Sequence, residues 1–277
     1  MQKLQKILVK AKRQVFSEMV GNNPSVFHGE GYDFVELREY ETTDDIRHID
    51  WNITAKMQRP FVKVFREERE LNVAVVSLLG GSIYFGSKRF KQEVVAEVNA
   101  MIGYSVLKNG DTLSSYICTD GVDFFLKPSK NTYAVEKSTG SILAFDPIAK
   151  QVNMQNVAKV LYKSIKRRSL IVVVGDFFEL PSFLLLAKKH EVIAVVVRDR
   201  LEENPPVMGF NSFVDPQTSE VIQGDFNATA VAQYAKRVQE HDRELFARFK
   251  KEHIRFTKIY TDSNVGVALR RLFEARK

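Results

Sequence analysis

The chain is poor in the residues that most often carry chemistry or tie a protein to a membrane. Its 277 residues contain one cysteine, Cys118, which excludes an intramolecular disulfide and any multi-cysteine metal site and fits a reducing compartment. Cys118 closes the run Ser114-Ser115-Tyr116-Ile117-Cys118, which reads as a strand, so a buried and inert thiol is expected. The five histidines stand in no spacing that supports nucleophilic catalysis. No stretch approaches the ~20 apolar residues of a membrane span. Lys10, Lys12 and Arg13 interrupt the apolar run that a signal peptide would require. A soluble, cytoplasmic protein that is not an enzyme is the expectation. Internal repeats, low-complexity tracts and the aromatic-rich basic run of an RNA-binding module are also missing.

What is present is ordinary globular composition, 44% hydrophobic and 27% charged, with enough length to bury one large core. The net charge of +7 sits at the ends. Residues 1–20 carry five Lys/Arg against one acid and residues 237–277 eleven against six, which leaves the middle at −2. Such an excess attracts anionic lipid or nucleic acid when it is concentrated on one face. A solvated surface of mixed sign is the simpler reading, and peripheral membrane contact stays open.

Leu4 to Met19 places apolar residues at helical spacing between lysines, an amphipathic basic helix. Residues 21–58 show no sustained period and read as an irregular polar arm, followed by an alternating strand over Phe61–Phe65. From Val73 onward, short continuous apolar runs alternate with helical patterns. Strands are expected at Val73–Leu79, Leu170–Val174, Val192–Val197 and Ile254–Tyr260, and a hairpin at 112–126 turning on Asp120-Gly121. Helices are expected from Phe90 to Val106, around Val157–Leu161, over Phe183–Lys188, Phe226–Glu252 and Val265–Ala275. Strands joined by helical crossovers make an α/β fold, an open, mostly parallel sheet with helices on both faces. The division expected is 1–70, helix plus arm, and 71–277, the sheet domain, with a small insert near 205–224.

Ligands of such sheets bind outside the carboxyl ends of the strands. There the chain places Gly80-Gly81-Ser82-Ile83-Tyr84-Phe85-Gly86-Ser87, Gly175-Asp176-Phe177 and Arg198-Asp199-Arg200. The glycine pair lacks the Lys-Ser/Thr of a phosphate-binding loop and the three spaced glycines of a dinucleotide fold, so it reads as a tight turn. His241 reads as a hydrogen-bonded structural histidine, and Asp242 and Glu244 as members of a solvated face.

The stretches Gly31–Tyr40, Asp44–Trp51 and Val62–Arg69, with Phe85-Gly86-Ser87-Lys88, Arg167–Leu170 and Asp176-Phe177, closely resemble the signature of the domain of unknown function 58 family. That resemblance implies a von Willebrand factor A-like fold and association with MoxR-type AAA+ ATPases. Other von Willebrand factor A-containing proteins are further implied partners. Many members of the wider fold hold a cation in a metal-ion-dependent adhesion site, with an Asp-x-Ser-x-Ser loop, a Thr and a second Asp. Matching that pattern places Leu78 at the first Asp, Gly80 and Ser82 at the two Ser, Val152 or Asn153 near the Thr and Asp176 at the last Asp. Two ligands are lost, so the resemblance implies a degenerate site and no cofactor. If a cation site survives, Ser82 and Asp176 are its remnants. Thr43 and Lys56 depart from the family pattern, where Gly and Arg are usual.

The reading that results is a metal-free protein-interaction module, accessory to a MoxR-type ATPase in assembling or remodelling a complex. Its contact loops would present Gly80, Gly81, Ser82, Tyr84, Asp176 and Phe177, flanked by the arm residues Arg38, Asp44, Asp45, Arg47, Asp50 and Trp51. His28, Asp44, Asp45, His48 and Asp50 are interleaved with Arg38, Arg47, Arg66 and Arg69. That pattern points to charge pairs folding the arm onto the domain and not to a metal cluster. Trp51, the one tryptophan, reads as a core anchor, with a binding hot spot as its other reading. The rivals are a rearranged cation-dependent site, and docking of the basic ends to anionic membrane or nucleic acid.

Overall fold

The computed structural model describes residues 2–17, 33–66 and 70–274. The expectations that rest on His28, on residues 29–32 and on residues 67–69 lie outside the described residues. Contacts divide the chain into two compact units, Met1–Phe27 with Asn72–Lys277, and His28–Leu71.

The larger unit is built on a six-stranded sheet. Its strands are β3 (Asn72–Leu78), β4 (Thr112–Cys118), β5 (Val122–Ser129), β6 (Leu170–Gly175), β7 (Glu191–Arg198) and β10 (Arg255–Tyr260). They lie in the order β10-β7-β6-β3-β4-β5. All neighbours are parallel except the β4–β5 hairpin. The continuous apolar runs become the central strands because both faces of a parallel sheet are covered: β6 is buried throughout, and β3 and β7 after their first residue.

One face carries α5 (Met154–Ser164), α6 (Leu184–Lys189) and α8 (Ala228–Lys251). Val157, Leu161, Phe183, Leu186, Leu245 and Phe249 pack there against Ala74, Val76, Val173 and Val196. The other face carries α3 (Lys91–Lys108), α4 (Thr132–Ala144) and α9 (Val265–Glu274), with α1 (Gln2–Ser17) laid on α3. α3 is buried almost all round, so its polar residues must be satisfied internally. Gln92 donates to the carbonyls of Ile142 and Phe145, both at 2.7 Å, and Asn99 to the hydroxyls of Ser138 at 2.9 Å and Thr139 at 3.0 Å. These bonds explain α4, a Ser/Thr-bearing helix whose pattern is too polar to announce itself. β8 (Gly209–Val214) and β9 (Val221–Phe226) form the small hairpin expected of the insert.

Residues 33–58, read from the sequence as without regular period, contain a strand, a 3-10 turn and a helix. β1 (Asp33–Glu39) pairs antiparallel with β2 (Phe61–Arg66). Between them a single 3-10 turn, Ile46–His48, leads to α2 (Trp51–Met57). Asp50 caps α2, accepting from the amides of Asn52 at 3.0 Å and Ile53 at 3.1 Å, a cap that gives a short polar helix its start. Arg38 forks onto Asp44 at 2.9 and 2.6 Å, Arg47 bonds Asp45, Arg59 bonds Glu39 and Lys63 pairs with Asp50 at 2.8 Å. These pairs fold the arm on itself. Arg47 holds the Asp45 carboxyl down at about 2. Trp51 is 68% exposed, which corrects its reading as a core anchor: α2 turns its one large aromatic away from the ribbon.

Candidate functional site

The strand order changes direction at β3, which has β4 on one side and β6 on the other, so the crevice between the carboxyl ends of β3 and β6 is where a ligand of this sheet is expected. There Leu78 is buried, packed so tightly on Gly175 that a β-carbon on that glycine would lie 2.8 Å from the β-carbon of Leu78. Gly80 and Gly81 are buried as well. A β-carbon on Gly80 would meet Val152 Cγ2 at 3.0 Å, and one on Gly81 would lie 2.0 Å from the carbonyl oxygen of Pro216. The turn of the β8–β9 hairpin therefore lies directly over the glycine pair. It is fixed by the amide of Ala149, which donates to Pro216 O at 2.9 Å, while Gly81 N donates to Lys150 O at 2.8 Å. Tyr84 stacks on Phe90 with ring centres 4.5 Å apart and stays exposed, as does Phe85.

Asp176 follows β6 with its side chain 13% exposed. Its Oδ2 accepts from the ammonium of Lys91 at 3.0 Å, the same ammonium that donates to Glu202 Oε1 at 2.5 Å. The Ser82 hydroxyl also helps to hold this carboxyl down. Burial pushes the Asp176 carboxyl up, but the Lys91 charge and these hydrogen bonds outweigh it, and the group is held below its ordinary range. Glu202 goes the other way, raised by burial more than Lys91 lowers it. Lys91 itself is fully buried, its nitrogen 5.1 Å from the centre of the Phe178 ring. Phe177 is buried with φ 53°, a left-handed backbone that costs a bulky residue free energy. It is locked by edge-to-face contacts to Phe183 and Phe249 and by the bond between its carbonyl and His241 at 2.9 Å, the structural role expected of that histidine.

The network continues outward. Arg198, fully buried at the end of β7, lies with its guanidinium 3.9 Å from the centre of the Phe178 ring. It donates to the Asp176 carbonyl and, at 2.8 Å, to Asp242 Oδ1. Lys258 bridges Asp242 at 2.6 Å and Glu203. Asp242 is thus buried in a two-cation clamp, which corrects its assignment to a solvated face: α8 turns it inward because Arg198 and Lys258 need a counter-charge. Asp199 accepts from Ser87 N at 2.8 Å, Ser87 Oγ at 2.9 Å and Leu201 N at 2.9 Å, and from Thr261. With Glu202 it forms the capping box of α7 (Arg200–Glu203), tying that short helix to the β3–α3 loop.

The structure thus gathers Gly80, Gly81, Ser82, Asp176 and Phe177 at one end of the sheet, and leaves Tyr84 at its outer margin. Sequence reasoning missed Lys91, Glu202 and the clamp of Arg198, Asp242 and Lys258. The available signal was Arg198, which closes the apolar run of β7, where a charge must find a partner; Lys91 stands in the charged run Ser87–Glu93 and gave none. The oxygen set does not fit a divalent cation. Leu78 and Gly80 offer no donor, Asn153 caps α5 through its own side chain, and the carboxylate of Asp176 is already bonded by Lys91. Among the described residues no group of three or more His, Cys, Asp or Glu is placed to hold a metal.

A mostly parallel six-stranded sheet with helices on both faces is consistent with a von Willebrand factor A-like fold. Within it, the chain belongs to the family described as protein of unknown function DUF58, whose model matches residues 36–244. Its curated relatives include the uncharacterized proteins Rv1480 of Mycobacterium tuberculosis and Mb1516 of Mycobacterium bovis. Each is 23% identical over 238 residues, covering 83% of this chain and 75% of theirs. Similar solved structures include the conserved hypothetical protein BatB of Bacteroides thetaiotaomicron, with TM-score 0.46 and 12% identity, covering 74% of this chain and 98% of that one. Another is an aerotolerance-related membrane protein of Bacteroides fragilis, with TM-score 0.40 and 13% identity over 66% of this chain and 98% of that one. Among the described residues, no helix is long and apolar enough to cross a membrane.

Proposed function

We propose that this chain is a protein-interaction module that binds without a metal ion and without catalysis, accessory to a MoxR-type AAA+ ATPase in assembling or remodelling another protein complex. The ATPase enters through the family resemblance. The observation that supports binding is the character of the sheet's carboxyl edge: its charged groups bond one another, while apolar side chains beside them face outward. Tyr84 and Phe85 are exposed on the β3–α3 loop, and Phe210, Phe213, Val214, Val221 and Ile222 on the hairpin that covers it. Several large apolar side chains exposed on neighbouring loops favour contact with another protein. An edge whose acids and bases are already paired offers no activated nucleophile or base.

The test is purification of the tagged chain from its own host beside a Tyr84→Ser/Phe85→Ser variant, with co-eluting proteins identified by mass spectrometry. The expected result is an AAA+ ATPase in the first sample, depleted in the second and indifferent to added Mg²⁺ chelator. Absence of any such ATPase, or its loss on adding the chelator, counts against the proposal.

A further inference from the structure

We infer that the Lys91 ammonium is the permanent cation of this site, standing where adhesion-type sheets of the same architecture hold a divalent ion. The inference concerns the site alone and does not depend on which partner the module binds.

Two of the residues that such an ion would need are not present. Hydrocarbon and a bare backbone stand at Leu78 and Gly80, while the last acid, Asp176, and one hydroxyl, Ser82, remain. An acid and a hydroxyl buried together without a counter-charge would be costly, and the chain supplies that charge from within. Lys91 opens α3, and its amide donates to the carbonyl of Phe85 at 2.8 Å, which folds the β3–α3 loop back onto the start of the helix. The nitrogen then lies 3.0 Å from Asp176 Oδ2 and 2.5 Å from Glu202 Oε1, the lysine side chain fully buried and both acids nearly so. Glu202 matters here because it comes from α7 and adds a second carboxylate oxygen that the adhesion pattern does not include. Two carboxylates and a tethered monovalent cation with three donors make a closed set. A hydrated magnesium ion, which demands near-octahedral oxygen at short distance, does not find enough ligands. The β3–α3 loop, the end of β6 and α7 are therefore held together whatever the cation concentration.

A lysine that merely fills a buried ion pair and one that replaces a metal differ in what happens when the side chain is cut back. Thermal unfolding and calorimetric titration with Mn²⁺ and Mg²⁺ separate them, using the full chain and the variants Lys91→Ala, Lys91→Met and Lys91→Ala/Asp176→Asn. The wild type is expected to show no heat and no shift in Tm with either ion. Lys91→Ala opens a space lined by Asp176, Glu202 and Ser82 oxygens, so its Tm is expected to be lowered and then raised by saturating Mn²⁺ by roughly 5 °C. Lys91→Met keeps the volume filled with hydrocarbon, and the double variant removes an oxygen charge, so neither is expected to respond. Four outcomes overturn the inference: Mn²⁺ binding by the wild type that Asp176→Asn abolishes; a folded Lys91→Ala that binds no ion; a Lys91→Ala that stays unfolded with and without Mn²⁺; and equal rescue of Lys91→Met. Partner capture by the wild type is read separately, so its failure leaves this result standing.

Discussion

At the scale of single residues, the carboxyl edge is governed by the rule that a buried charge must be paired. Asp176, Asp199 and Asp242 each feel burial pushing their carboxyls up, and each is nevertheless held below 3.8. Lys91 and Ser82 achieve this for Asp176, the Ser87 and Leu201 amides with the Thr261 hydroxyl for Asp199, and Lys258 with Arg198 for Asp242. An acid depressed in the folded chain gives up its proton more readily there than when unfolded. Its contribution is therefore whole above the unfolded value and is lost as pH falls through the folded one. Glu202 opposes them, since a raised acid favours the folded state at low pH and loses that contribution as pH rises. Three depressed acids against one raised acid predict that the urea midpoint falls on acidification below about pH 4. Asp242→Asn should flatten that fall and, by leaving Arg198 and Lys258 short of a partner, cost about 3 kcal/mol at neutral pH. An unchanged pH profile in Asp242→Asn would show that the clamp is not the source. These roles were the least legible in the sequence. Lys91, Arg198 and Asp242 lie far apart in the chain, and only the fold brings their charges within hydrogen-bonding distance.

At the scale of elements, legibility followed how much of an element's stability is local. β3, β6 and β7 announce themselves as apolar runs because burial on both faces tolerates nothing else. The β4–β5 hairpin forms where Asp120-Gly121 marks a turn, but Cys118 pairs with Val122 and neither Asp120 nor Gly121 has positive φ, so it is not the two-residue turn that this pair favours. α4 gives no such signal: it is held by Asn99 and Gln92 of its neighbour, partners that its own sequence does not contain. The arm is likewise stabilised across a ribbon, with β1 registered on a strand more than twenty residues away, and by the Asp50 cap. The hairpin of β8 and β9 was legible as an insert, but its docking on Gly81 was not. That contact requires a glycine, because any side chain would run into the Pro216 carbonyl. Gly81→Val should therefore lift the hairpin turn. Hydrogen exchange over residues 209–226 is expected to rise at least tenfold, equivalent to ~1.4 kcal/mol of lost local stability, with exchange of β6 and β7 unchanged. Equal acceleration in β6 would mean that the turn supports the core and not only itself.

At the scale of the whole molecule, the charge is uneven in a way that has to be read against the packing. The basic excess lies at both ends, yet residues 201–235 contain no lysine or arginine at all, and the only charged residues within the apolar hairpin are the acids Asp215, Glu220 and Asp225. The N-terminal helix has the pattern of a membrane-surface segment, but Leu8 and Ala11 are buried and the helix lies on α3. Two of its lysines serve the fold: Lys3 pairs with Glu93 at 2.5 Å and Lys10 with the buried Glu97 at 2.6 Å. An interfacial helix needs its apolar face free to enter the lipid boundary, and here that face is occupied. Binding to anionic vesicles or to duplex DNA should consequently be weak at low ionic strength, with a shallow dependence on salt reflecting few released counterions. Co-sedimentation with phosphatidylserine vesicles and DNA titration by anisotropy, each at low and physiological salt, decide the matter. Tight binding with a steep salt slope, lost on reversing Lys6 and Lys12 but not on changing Tyr84 and Phe85, would move the working surface from the carboxyl edge of the sheet to the basic helix.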